Sequence, residues 1–263
     1  MAILFGLYPC CWGQDAMQYP LSVAVRDGVV FVADLNLPGI WKISDNGLEK
    51  FFEGSPKFRT PLNRVRCLAM DQDGKLLAGD SATREVYRFD DDGKPTPLTD
   101  GGIGIPMGIA VRENGEILVS DLELHSIWKV PTEGGKPERL ATVSSPAGIC
   151  LDNKDQLWVV SRGTVPLRRI ATDGTVTDVI KSRTFDFPHD VVVDGGNNVF
   201  LTDGYGKAIW KIEEGKAPEK FAQGDPFMNP VGLIDDGDRF LVADSQAKQI
   251  FEVSKDGGIR PLK

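Results

Sequence analysis

Short apolar runs separated by polar turns recur along the whole chain, and the runs are rich in Val, Ile and aromatic residues, as in "GIAV", "EILVS" and "SIWKV". This composition and spacing predict β-strands. No ten-residue stretch keeps an apolar period of 3.6, so helices are not expected. Asp27-Gly28, Asp73-Gly74, Asn114-Gly115 and Asp236-Gly237 follow the first run of a set. Asn46-Gly47, Asp92-Gly93, Gly134-Gly135, Asp173-Gly174 and Asp256-Gly257 follow the third. Such pairs accommodate the positive φ that tight turns between antiparallel strands need.

The sets repeat. "IPMGIAVRENGEILVSDLELHSIWKV" (105–130) and "NPVGLIDDGDRFLVADSQAKQIFEV" (229–253) share three anchors. The first anchor opens a set at Pro20, Val65, Pro106, Pro146, Pro188 and Pro230, with steps of 45, 41, 40, 42 and 42 residues. The second closes the next apolar run at Asp34, Asp80, Asp121, Ser161, Asp203 and Asp244. The third is Trp41, Tyr87, Trp128, Leu167, Trp210 and Phe251. Each copy, with a fourth run such as "PERLATV", predicts a four-stranded antiparallel meander too small to be stable alone. A period near forty in this β pattern predicts an all-β, six-bladed β-propeller. The third anchor is expected to wedge between neighbouring blades. Blade 4 breaks the pattern twice, with Ser161 for Asp and Leu167 for an aromatic.

The chain has 263 residues, 41% hydrophobic, and a net charge of −8. It can fill a core, and its acidity argues against nucleic acid and anionic membranes as partners. Residues 17–263 are read as one propeller. Residues 1–16 contain the uncharged apolar stretch "AILFGLYPCCWG", read either as a clipped secretory leader or as an N-terminal extension, "AILFGLY", adding a strand at a sheet edge. The leader reading implies a secreted or periplasmic protein. The stretch is too short for a membrane span. Cys10 and Cys11 lie within it; Cys67 and Cys150 sit in strand patterns and read as buried small hydrophobes.

The line "PMGIAVRENGEILVSDLELHSIWKV" resembles the NHL repeat, and the resemblance covers all six copies. NHL propellers are similar in turn to the regucalcin/gluconolactonase group and to the peptidyl-hydroxyglycine amidating lyases. The motif implies the fold more than any function.

In a propeller the first strand of each blade lines the channel, so the residues after the first anchor form a ring at one mouth: Leu21, Arg66, Met107, Ala147, His189 and Val231. Only Arg66 and His189 can carry charge, and their blades, two and five, face each other. Asp190, Asp203 and Tyr205 belong to blade 5, Arg162 to the matching loop of blade 4, and Arg59, Arg64, Arg183 and Asp186 to longer connecting loops. A small anionic or polyhydroxylated ligand is expected at Arg66, Met107, Arg162, His189, Asp190, Asp203 and Tyr205, with Tyr205 a donor and His189 able to titrate near neutrality. Structural alternatives stand beside these readings: Arg66 paired with an acid, His189 and Asp190 as satisfied polar groups, and the recurring Asp as a loop-holding residue. His125 reads as a solvated loop residue.

The resemblance to lactonase propellers implies one calcium or zinc held by a Glu, two Asn-like residues and an Asp. Here "MQYPLS" lacks the Glu, Met107 and Ala147 stand where Asn is implied, and Asp203 would be alone. The amidating lyases imply zinc on three His, but the chain has two His in all. Their catalytic Tyr would fall on Tyr205 in "TDGYG". No cofactor is therefore expected, with Ca or Zn the alternative. The favoured function is a binding module for a small molecule, glycan or protein partner at the mouth. A lactone hydrolase, with Asp203 a metal ligand and His189 a proton carrier, is the alternative. A protein-interaction scaffold is the third reading.

Overall fold

A computed structural model describes residues 16–262 except Pro38, Pro56, Phe58 and Arg59. The leader or extra-strand reading of the N-terminus therefore lies outside the described residues, save for Ala16. The described chain forms six sheets of four antiparallel strands, each sheet built from consecutive sequence, and no described residue is helical. The predicted fold class is borne out.

The first strands are Pro20–Arg26, Val65–Met70, Pro106–Val111, Pro146–Leu151, Pro188–Val193 and Pro230–Asp235. Each packs against the next around the axis, and the first also meets the sixth, which closes the ring. The last blade takes its outer strand, Ile259–Pro261, from the chain's own C-terminal segment, so among the described residues no strand is exchanged across the seam.

Strand alternation explains the core. Successive side chains point to opposite faces of a sheet, and here one face meets the preceding blade and the other the following blade. In blade 2, Leu76 and Ala78 pack with Phe31 and Ala33 of blade 1, while Leu77 packs with Ile117 and Val119 of blade 3. Six inter-blade clusters result rather than one central core. The aromatic anchors sit in these wedges as expected: Trp41 closes the seam against Leu241, Ala243 and Ile250 of blade 6. Cys67 is buried and Cys150 half-buried, both unpaired and both within apolar clusters.

The closing Asp of the second strand is a clasp. Asp244 is fully buried and accepts hydrogen bonds from the lead-in amides of Met228 (2.7 Å) and Asn229 (2.9 Å). It also accepts from Gln246 (3.1 Å) and Ala247 (2.9 Å) in the following loop. Asp34, Asp80, Asp121 and Asp203 repeat the arrangement with their own lead-in amides. In blades 1, 3 and 5 the indole Nε1–H of Trp41, Trp128 or Trp210 donates to the same carboxylate. A buried carboxylate satisfied by several N–H donors is stabilising, and its removal strands those donors. Blade 4 substitutes a lighter version: the Ser161 hydroxyl donates to the Ser144 carbonyl (2.6 Å) and accepts from the Gly163 amide (3.0 Å).

The ring's dependence on clasp and wedge is measurable by denaturant unfolding. Asp244→Ala, which leaves buried amides unpaired, is expected to cost about 3 kcal/mol, against about 1 kcal/mol for Ser161→Ala. Trp41→Ala is expected to cost about 3–5 kcal/mol, because Trp41 is only 1% exposed.

Candidate functional site

Every first strand carries one extra residue against its partner at the end where it begins. The ladder shift in blade 1, for example, falls between Pro20 and Ser22 and leaves Leu21 unpaired. A β-bulge of this kind re-aims a side chain. In blades 1, 2, 3 and 6 the displaced residues are Leu21, Arg66, Met107 and Val231; in blades 4 and 5 the bulge contains Ala147 with Gly148 and His189 with Asp190. The ring predicted from the Pro anchors is thus a ring of bulges.

A cavity of about 380 Å3 is lined by the six first strands and holds Arg66, Met107, His189 and Asp190 among its walls. Arg66 donates from Nε to the Ser81 hydroxyl (2.9 Å), and among the described residues no carboxylate pairs with it. Burial above all, with the repulsion of Arg64, lowers its pKa, against the opposing effects of Cys67 and Asp80.

Arg162 comes from the blade 4 loop, where the Asp clasp is missing. Its guanidinium carbon lies 4.4 Å from the centroid of the Phe187 ring. Its Nε is buried without a hydrogen-bond partner. Burial, followed by repulsion from Arg66, pushes its pKa down to about 10. That mutual repulsion places the two guanidiniums in one electrostatic neighbourhood. Phe187 also stacks on Tyr205, with centroids 4.6 Å apart and planes 21° from parallel, and its centroid lies 6.2 Å from that of His189. Tyr205 is 66% exposed. Gly204 allows this approach: a Cβ there would meet Asn229 Oδ1 at 2.3 Å and the Phe187 ring at 3.3 Å. A second cavity, about 490 Å3, lies between blades 4 and 5, with Arg162, Arg183, Asp186 and Phe187 in its lining.

Not every expected residue reaches the mouth in a usable form. Asp203 does not, because its carboxylate is spent on the amides of Asp186, Phe187 and Gly206 and on the Trp210 indole. It is 1% exposed and serves as the blade 5 clasp. His189 is buried, and desolvation together with Arg162 and Arg66 pushes its pKa down to about 3, so its imidazole is neutral at pH 7. The expectation of titration near neutrality gives way to burial beside two cations. Asp190 is half-buried and accepts from the amides of Val191 (2.9 Å) and Leu233 (3.0 Å). Burial pushes its pKa up to about 7. Gly148 makes room for it, since a Cβ there would lie 2.1 Å from Asp190 Oδ1. Exposed His125 accepts from the Ser145 amide (3.0 Å) and so ties blade 3 to blade 4. Arg59 lies outside the described residues.

Two contributors escaped the sequence reading. Phe187, which joins Arg162, His189 and Tyr205, is the residue before the Pro188 anchor, and Tyr19, close enough in electrostatic range to act on Arg66 and Arg162, precedes Pro20. A ring counted one position earlier would have included both.

The donor set does not fit a divalent cation. The mouth offers two guanidiniums, a neutral imidazole, the single carboxyl of Asp190 and apolar Leu21 and Met107, while the carboxylate of Asp203 is already filled. Among the described residues, no three His, Cys, Asp or Glu side chains are grouped to hold a metal ion. No described helix is long and apolar enough to cross a membrane.

The molecule is thus a closed propeller with a cationic, partly apolar mouth. Residues 14–199, more than half of the chain, match the model of the SMP-30/gluconolactonase/LRE-like region, and the chain belongs to that family. A gluconolactonase from Xanthomonas campestris shares the fold with a TM-score of 0.77 at 15% identity, over 94% of this chain and 88% of that one. Virginiamycin B lyase from Staphylococcus aureus matches with a TM-score of 0.71 at 19% identity, over 93% and 84%. A chain of a nidogen/laminin complex matches with a TM-score of 0.74 at 15% identity, over 86% and 88%. No curated protein matches the sequence.

His189 and Asp190 pull stability in opposite directions with pH. Between pH 7 and 5 the unfolded chain takes up protons at His189 that the folded chain refuses, so acidification destabilises. Over the same range folded Asp190 takes up a proton that the unfolded chain does not, so acidification stabilises. Thermal unfolding of variants separates the two. From pH 7 to pH 5, His189→Gln is expected to gain in melting temperature relative to wild type, and Asp190→Asn to lose.

Proposed function

We propose that the protein binds a small carboxylate-bearing ligand at the channel mouth, held by Arg66 and Arg162. One observation carries the reading. Two half-buried guanidiniums, Arg66 in the wall of the channel cavity and Arg162 in that of the cavity beside it, repel each other in a chain of net charge −8, and neither pairs with a carboxylate among the described residues. Desolvating a guanidinium is costly unless an anion compensates it, and Arg is suited to forked bonds with a carboxylate.

Family membership supports a second reading, hydrolysis of a lactone, whose ring opening leaves a carboxylate that this mouth would retain. In that reading Asp190, pushed up to about 7, is better matched to proton transfer near neutrality than His189, pushed down to about 3. The carboxylate-binding reading stands without it.

Calorimetric titration with a panel of monocarboxylates at low salt tests the site. Arg66→Ala and Arg162→Ala are each expected to weaken binding about tenfold or more, as loss of a charge-assisted bond does. Binding is expected to fall with added chloride and to stay within about twofold on adding EDTA, since the anion is held by arginine. Unchanged affinity in both Arg variants would move the site elsewhere.

A further inference from the structure

The walls of the mouth say more about the ligand than its charge does. Two of the bulge positions, Leu21 and Met107, face the cavity with apolar side chains, and Val23, Ile109, Ile149 and Leu233 continue that apolar wall. Several polar groups nearby are already hydrogen-bonded. Ser81 accepts from Arg66 and donates to the Arg64 carbonyl (3.2 Å), and the Asn229 amide donates to the Ser245 hydroxyl (2.6 Å). His189 is engaged with the Val231 backbone. A polyhydroxylated acid brought here would lose water from several hydroxyls and find few replacements, which is unfavourable for each one.

Beside the guanidiniums, in contrast, lies a flat aromatic shelf. Tyr205 rests nearly parallel on Phe187, and Arg162 covers the same Phe187 ring from 4.4 Å. An aromatic side chain 66% exposed beside buried cations is unusual to leave facing water, and it can receive another ring.

We propose that the ligand is an aromatic carboxylate: its acid group is held by Arg66 and Arg162 and its ring stacks on the Tyr205–Phe187 shelf. This rests on the carboxylate reading of the mouth and narrows it, replacing the polyhydroxylated ligand expected from the sequence. It also sets this chain apart from a sugar-acid binder despite its family.

Calorimetry with four probes tests the inference: trans-cinnamate, its neutral amide, cyclohexanecarboxylate and D-gluconate. trans-Cinnamate is expected to bind about tenfold or more tightly than D-gluconate and than the neutral amide. Tyr205→Ala, at an exposed site that folding does not need, is expected to weaken trans-cinnamate about fivefold and to leave cyclohexanecarboxylate within about twofold. D-Gluconate binding as tightly as trans-cinnamate, with both lost in the Arg variants, would overturn the aromatic class and leave the carboxylate reading standing. Equal weakening of both ring acids in Tyr205→Ala would overturn the stacking. Absence of any carboxylate binding, or binding indifferent to Arg66 and Arg162, would remove both readings together.

Discussion

Five of the six blades depend on a buried carboxylate at the end of the second strand. It gathers two amides from the segment leading into its blade and others from the loop that follows, so one side chain pins both connections on the mouth side of the ring. These connections carry the candidate chemistry. Without the clasp their amides would be buried and unpaired, a cost that few loops could offset. The wedges between blades hold the ring closed, but the clasp decides where the mouth residues stand.

The one blade without it is informative. Ser161 makes only a hydroxyl link, and the loop after it carries Arg162. Arg162 rests on Phe187 with its Nε unpaired. Burial and the neighbouring cations then suppress the charge on His189, while burial pushes the Asp190 carboxyl in the same wall up to about 7. The proposed anion site rests on the two guanidiniums of Arg66 and Arg162.

Much of this architecture was legible from residue order. The spacing of the anchors, the Asp-Gly turns and the aromatic positions specify strands, blades and ring because each follows from a local rule of period or turn geometry. The clasp role of the recurring Asp was legible for the same reason. The role of Asp203 at the mouth was not: a carboxylate near a site looks like a ligand until its hydrogen bonds are counted. The protonation of His189 was equally hidden, since it depends on burial and on Arg162, 27 positions away in sequence but adjacent in space. Phe187 was missed because the ring was counted from the residue after each anchor, whereas the shelf is built from the residue before it.

The central claim is that Arg66 and Arg162 together receive an anion. Nuclear magnetic resonance of the arginine Nε–H groups reads this directly, because the Arg162 Nε–H has no partner in the free protein. Titration with trans-cinnamate is predicted to shift the Arg162 and Arg66 Nε–H signals in parallel, along one binding curve, while that of Arg168, which is bonded to Asp178, stays in place. Signals of Arg66 and Arg162 that stay fixed at saturation, with shifts confined to other residues, would contradict it.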